Sequence, residues 1–84
     1  MTLADQLAAS LRKLRLDANL TQKDFAKRLG LSHSTLHRVE RGDYNTTLKV
    51  LQALCEALDC GPGDLFEPDR LRLPPARRRR RRSG

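Results

Sequence analysis

Twice between Thr21 and Gly42 the chain runs from a hydroxyl residue that can cap a helix to a glycine that can end one, and only Leu31 separates the two runs. Thr21 opens "TQKD", a capping-box-like start with Asp24 near the positive end of the helix dipole. Phe25, Ala26 and Leu29 form the apolar face of this first run, and Gly30 closes it. Ser32 opens the second. Leu31 before the cap and Leu36 at the fourth helical position fit a hydrophobic staple, Leu36 and Val39 point inward, and Gly42 ends the run. Two helices this short cannot bury their faces separately, so the tight "GLS" junction folds them against each other as a helix-turn-helix.

The flanking sequence is also helical. Thr2, with Asp5 three residues on, can cap a first helix along which Leu3, Leu7, Leu11, Leu14 and Ala18 recur at helical spacing, until "DANL" at 17–20 breaks the pattern. After the turn-forming "DYN", Asn45 or Thr46 can cap a fourth helix with Leu48, Leu51, Leu54, Cys55 and Leu58 in one stripe. "CGPGDLF" then supplies a break, Pro62 at a first helical position and a short fifth helix burying Leu65 and Phe66. No alternating stretch in the first 66 residues reads as a strand. The expected fold is all-α: a compact five-helix helix-turn-helix domain over residues 1–67.

Charge divides the 84-residue chain unevenly. Residues 1–66 hold nine Lys or Arg against eight Asp or Glu, whereas residues 67–84 hold eight Arg against Glu67 and Asp69. The formal net charge of +7 therefore belongs mostly to the end of the chain. Strong basicity selects anionic partners, nucleic acid first. From Pro68 on the composition is rich in Pro and Arg with almost nothing to bury, so residues 68–84 are expected to form a disordered tail. "RLRL" at 70–73 alternates and would form a strand only against a partner's edge. The run Arg77–Arg82 fits a solvated tail, an arm on the phosphate backbone, or a contact with RNA or an acidic protein. Three aromatic residues, Phe25, Tyr44 and Phe66, are too few for a single-strand stacking platform.

"TQKDFAKRLGLSHSTLHRVERG", followed by "NTTLKVLQALCEALDCGPGDLF", resembles the Cro/repressor-type (XRE-like) helix-turn-helix family. The "TQ", the "FA" pair, the "LGLS" turn, the "VERG" ending and the leucine-rich fourth helix occur in order from about Leu11 to Phe66. The resemblance implies a lambda-repressor-like fold, commonly dimeric, that binds double-stranded DNA with residues 32–41 as recognition helix in the major groove. On a helical wheel Ser34, His37, Arg38 and Arg41 face outward and His33 sits at the flank, with Thr35 and Glu40 near the boundary.

Chemistry assigns roles to these residues. The planar fork of Arg38 can pair with guanine O6 and N7. His33, Ser34 and His37 can each exchange a hydrogen bond with a base or phosphate, and contact by protonated histidine would strengthen binding toward about pH 6. The resemblance places His33, Ser34 and Arg38 among base readers and gives Gln22 a phosphate. It sets Arg41, Tyr44 and Asn45 in the backbone-touching loop. Lys23 and Lys27 add nonspecific attraction. It also pairs Glu40 with Arg15 on helix one; otherwise Glu40 is a solvated charge.

Other chemistries are poorly supplied. His33 and His37 have the i,i+4 spacing of metal ligands, but two ligands are not a site and nothing places Cys55 or Cys60 beside them. Cys55 reads as a small core residue and Cys60 as a partly exposed helix end. Ser32, Ser34 and His33 do not face one another as a nucleophile and base. No catalytic residue, metal or cofactor is expected. Only two cysteines and no basic start followed by an apolar run point to a reducing, cytoplasmic setting, and no apolar run approaches the ~20 residues that span a bilayer.

The functional expectation is a bacterial or phage transcriptional regulator, a homodimer on a (pseudo)palindromic operator. Two alternatives stay open. One is the antitoxin of a toxin–antitoxin pair, with the tail engaging a toxin partner; the other is a restriction–modification controller protein.

Overall fold

The computed structural model describes residues 2–42 and 46–74. Helix α1 spans Leu3–Asp17, α2 Gln22–Leu29, α3 His33–Arg41 and α4 Leu48–Leu58, followed by 3₁₀ turns at Pro62–Phe66 and Pro68–Arg70. No strand occurs among the described residues.

Capping sets the helix starts. Thr2 Oγ1 accepts from the Asp5 amide at 3.1 Å while the Thr2 amide donates to Asp5 Oδ2 at 3.2 Å, closing a full capping box. The Thr2 backbone N–H holds the Asp5 carboxyl below its usual range. Thr21 and Ser32 accept from Asp24 and Thr35 in the same way, each at 3.1 Å. Helix α4 is capped by Thr47, whose Oγ1 accepts from the Val50 amide at 3.2 Å, and not by Asn45 or Thr46. Asn45 lies outside the described residues.

The glycines at the ends of α2 and α3, Gly30 and Gly42, have φ values of +72° and +76°. At Gly42 the requirement is also steric, since a Cβ there would stand 2.7 Å from Asp5 Oδ1. The end of α3 thus abuts the start of α1.

The core is one cluster. Leu7, Leu11 and Leu14 of α1 meet Phe25, Ala26 and Leu29 of α2, Leu36 and Val39 of α3, and Leu54 and Leu58 of α4. Helix α1 packs on α3 and on both 3₁₀ turns, and α2 packs on α3 and α4. Two leucines of the expected stripes lie outside this cluster, Leu3 at 68% exposure and Leu48 at 83%. Each is the first residue of its helix, a turn short of the neighbours that cover the rest of its face.

Two further expectations change. The fifth helix is a 3₁₀ turn: Pro62 starts it, Gly63 disfavours an α-helix, and Asp64 closes a single turn onto the Gly61 carbonyl at 3.1 Å. It buries Leu65 fully and Phe66 in part. Residues 68–74, assigned by composition to the tail, continue the folded unit. Leu71 is 6% exposed in the core, Leu73 packs against the same cluster, and Arg28 on α2 donates to the Pro74 carbonyl. The alternation in "RLRL" therefore needs no partner strand: its leucines face the core, while Arg70 and Arg72 are exposed. Arg77–Arg82 lie outside the described residues.

Candidate nucleic-acid interface

Helix α3 is divided lengthwise. Leu36, Val39 and Glu40 are buried, whereas His33, Ser34, His37, Arg38 and Arg41 are exposed. The apolar stripe holds the helix to α1 and α2, so its outer face is a row of polar side chains on a fixed support. Ser32 stiffens its start: besides capping, its hydroxyl donates to Thr35 Oγ1 at 2.8 Å. Both Arg38 and Arg41 stand in the last turn, where cations complement the helix dipole. Lys23 and Lys27 are exposed on α2. Tyr44 and Asn45, expected at the backbone-touching loop, lie outside the described residues.

Beneath this face, Glu40 organises a polar cluster. Arg15 Nε donates to its carboxylate at 2.9 Å (Oε2) and 3.2 Å (Oε1), and Arg15 Nη1 donates to the Leu20 carbonyl at 3.1 Å. Glu40 is 1% exposed, so it is a buried, paired charge and not a boundary residue. Arg12 Nη2 donates to the Glu40 backbone carbonyl, one of the orphan acceptors at the end of α3. Arg12 was absent from the expected site. The signal for it was available: it lies three residues before Arg15, on the same side of α1.

Gln22, the first residue of α2, joins this cluster to the exposed face. Its Nε2 donates to Glu40 Oε1 at 3.1 Å, and its Oε1 lies 3.2 Å from His37 Nδ1. The structure therefore brings together Gln22, His37, Glu40 and Arg15. A residue expected to face phosphate also faces inward, because a buried carboxylate with two oxygens has more acceptor capacity than one arginine fills. The two histidines do not form part of a metal-ligand cluster: no group of three or more His, Cys, Asp or Glu that could hold a metal occurs among the described residues. No described helix is long and apolar enough to cross a membrane.

Two capped helices at a glycine turn, with a buried anchor and an exposed polar row, define a helix-turn-helix domain. A family model described as helix-turn-helix matches residues 11–65, more than half of the chain. This chain belongs to that family, which is one of DNA-binding transcriptional regulators. The chain is similar to three further proteins. An uncharacterized HTH-type transcriptional regulator of Methanocaldococcus jannaschii is 36% identical over 56 residues, covering 67% of this chain and 85% of the relative. The solved restriction–modification controller protein C.AhdI of Aeromonas hydrophila is 36% identical at a TM-score of 0.62, covering 75% of this chain and 91% of that one. The antitoxin PezA of Streptococcus pneumoniae is 25% identical over 68 residues, which are 81% of this chain but 43% of the antitoxin.

Proposed function

We propose that this protein regulates transcription by binding a palindromic operator in double-stranded DNA as a homodimer, with α3 of each copy in the major groove. The observation that carries the reading is the exposed row His33, Ser34, His37, Arg38 and Arg41 on a helix whose opposite side is fully buried. A helix fits the major groove, and such a row meets base edges there. In two copies related by a two-fold axis, the helices read half-sites about 34 Å apart.

Within this reading His33, Ser34, His37 and Arg38 contact bases, Arg38 preferring guanine by roughly 1–3 kcal/mol. Gln22, through its backbone N–H at the start of α2, with Lys23, Lys27 and Arg41, contacts phosphate. Tyr44 and Asn45 belong to the same backbone-contacting set. The 36% identity to a restriction–modification controller over 91% of its length favours a controller role within this class. The antitoxin reading rests on a match to less than half of its relative. A methyltransferase gene beside this one supports the controller, and a toxin gene supports the antitoxin.

The test is an unbiased selection of DNA bound by the full chain, with Arg38→Ala beside it. The expected outcome is an inverted repeat whose preference relaxes at one position per half-site in the variant. A selection that enriches no motif overturns the function, and an unchanged motif with Arg38→Ala overturns the assignment of that residue.

A further inference from the structure

The chain of contacts from Arg15 to His37 fixes where the hydrogen atoms are. Glu40 is buried and paired with the Arg15 guanidinium, so its carboxylate only accepts. The side-chain amide of Gln22 meets that carboxylate at 3.1 Å and the His37 ring at 3.2 Å. The two ends of an amide are not equivalent: the NH₂ donates and the oxygen accepts. Turning the amide over would set Gln22 Oε1 against Glu40 Oε1, acceptor against acceptor. The amide is therefore locked with Nε2 toward Glu40 and Oε1 toward His37. An oxygen acceptor facing Nδ1 requires the proton on Nδ1. In a neutral imidazole the other nitrogen then carries only a lone pair, and a contact through that lone pair is lost on protonation, contrary to the strengthening toward about pH 6 expected from the sequence.

From this geometry we infer that His37 is a specificity-determining residue that presents an Nε2 acceptor, set by Gln22 and Glu40, to a base-edge amino group in the major groove. This rests on the DNA-binding reading above. Two bases offer amino donors there, adenine at N6 and cytosine at N4. Each base pair carries one such amino group, on one of its two strands, and the acceptors beside it (guanine O6 and N7, thymine O4) repel a lone pair, so the contact selects pairs whose amino group lies where His37 reaches. Gln22 acts as a positioning residue: it touches the ring and not the base, and Glu40 acts one contact further back. A single neutral hydrogen bond of this kind sets a preference of about threefold to tenfold. The device also links the fold's buried ion pair to its surface chemistry, because the same Glu40 that ties α3 to α1 orients the amide that selects the tautomer.

Two measurements on the full chain test this. Long-range ¹H–¹⁵N spectra of the free protein, recorded at about pH 8.5, report which nitrogen of each neutral ring is protonated. We expect His37 with its proton on Nδ1, a loss of that preference in Gln22→Ala, and no change at His33 in the same spectra. Selection of bound DNA, run for the wild type, Gln22→Ala and His37→Ala, is expected to show one position per half-site whose base-pair preference depends on His37. Both variants relax that position and keep the others. A neutral His37 protonated on Nε2, or a motif that His37→Ala leaves unchanged at every position, overturns the inference and leaves DNA binding intact. A ring protonated on Nδ1 with no motif in any selection overturns the DNA-binding reading and the base contact with it, and leaves the tautomer assignment intact.

Discussion

Arg15 Nε lies 2.9 Å from Glu40 Oε2, joining α1 to the buried side of α3 at a carboxylate that is 1% exposed. The pair explains how an acidic residue fits a helix proposed to face an anion: Glu40 lies away from the exposed face and is paired with Arg15. Desolvating the two charges offsets much of their attraction, so the pair's net contribution is small, whereas removing one partner strands the other. Glu40→Ala is expected to cost about 3–5 kcal/mol, read as a shift of the urea midpoint. Replacing both groups, Arg15→Met with Glu40→Leu, is expected to recover most of that loss. A double variant as unstable as the single one would mean that the charges stabilise in their own right.

The segment 68–74 contributes a core residue. Leu71→Ala is expected to cost about 2–5 kcal/mol, as other buried leucines do. A domain of this size holds roughly 4–10 kcal/mol in total, so the loss is readily measured by denaturation. Ending the chain at Glu67 is expected to cost at least as much. Wild-type stability in both variants would show that Leu71 does not belong to the core.

The glycines that end α2 and α3 differ in a way that can be measured. Both adopt a left-handed backbone, so either alanine variant is strained by about 1–2 kcal/mol. Nothing lies within 4 Å of a Cβ at Gly30, whereas at Gly42 it meets Asp5 Oδ1 at 2.7 Å. That oxygen belongs to the carboxylate that closes the capping box with Thr2, so moving it aside disturbs the cap. Gly42→Ala is therefore expected to destabilise more than Gly30→Ala; the reverse order in thermal melts would discount the Asp5 contact.

Burial pushes the Cys60 thiol up to about 11, with neighbouring Cys55 and Asp64 acting in the same direction. Because the folded-state value is raised, the stabilisation is complete below the ordinary thiol range and is lost as pH rises toward 11. Cys60 should alkylate slowly in the folded protein. The lower thiolate fraction, partly offset by the greater nucleophilicity of a high-pKa thiolate, gives about a tenfold reduction at pH 8 relative to the unfolded chain. Peptide-resolved mass spectrometry measures it, and equal rates in the folded and unfolded chain would contradict the shift.

Removing residues 77–84 deletes six consecutive arginines. If these meet phosphate, binding weakens alike on all sequences, and the slope of log K against log salt falls by about 0.9 for each lost contact. An unchanged slope means that the run does not bind DNA.

The sequence by itself determined the helix-turn-helix. Its signals are local: Thr21, Ser32, Gly30 and Gly42 act through hydrogen bonds and backbone angles spanning a few residues, and the 3.6-residue period places Leu36 inside and Arg38 outside without reference to the rest of the chain. Tertiary structure decided what depends on meeting a distant group. Leu71 looked like part of a tail because its neighbours are prolines and arginines, and only the surface that α1 and the 62–66 turn leave open gives it somewhere to be buried. Thr47 caps α4 where the sequence offered Asn45 or Thr46, because adjacent residues of similar cap preference leave the start of a helix open at the local level. Gln22 reads from sequence as a polar helix start. Its contacts with Glu40 and His37, 18 and 15 residues away, arise only when α2 and α3 close over the buried carboxylate, whose remaining acceptor capacity has to be met from within the fold.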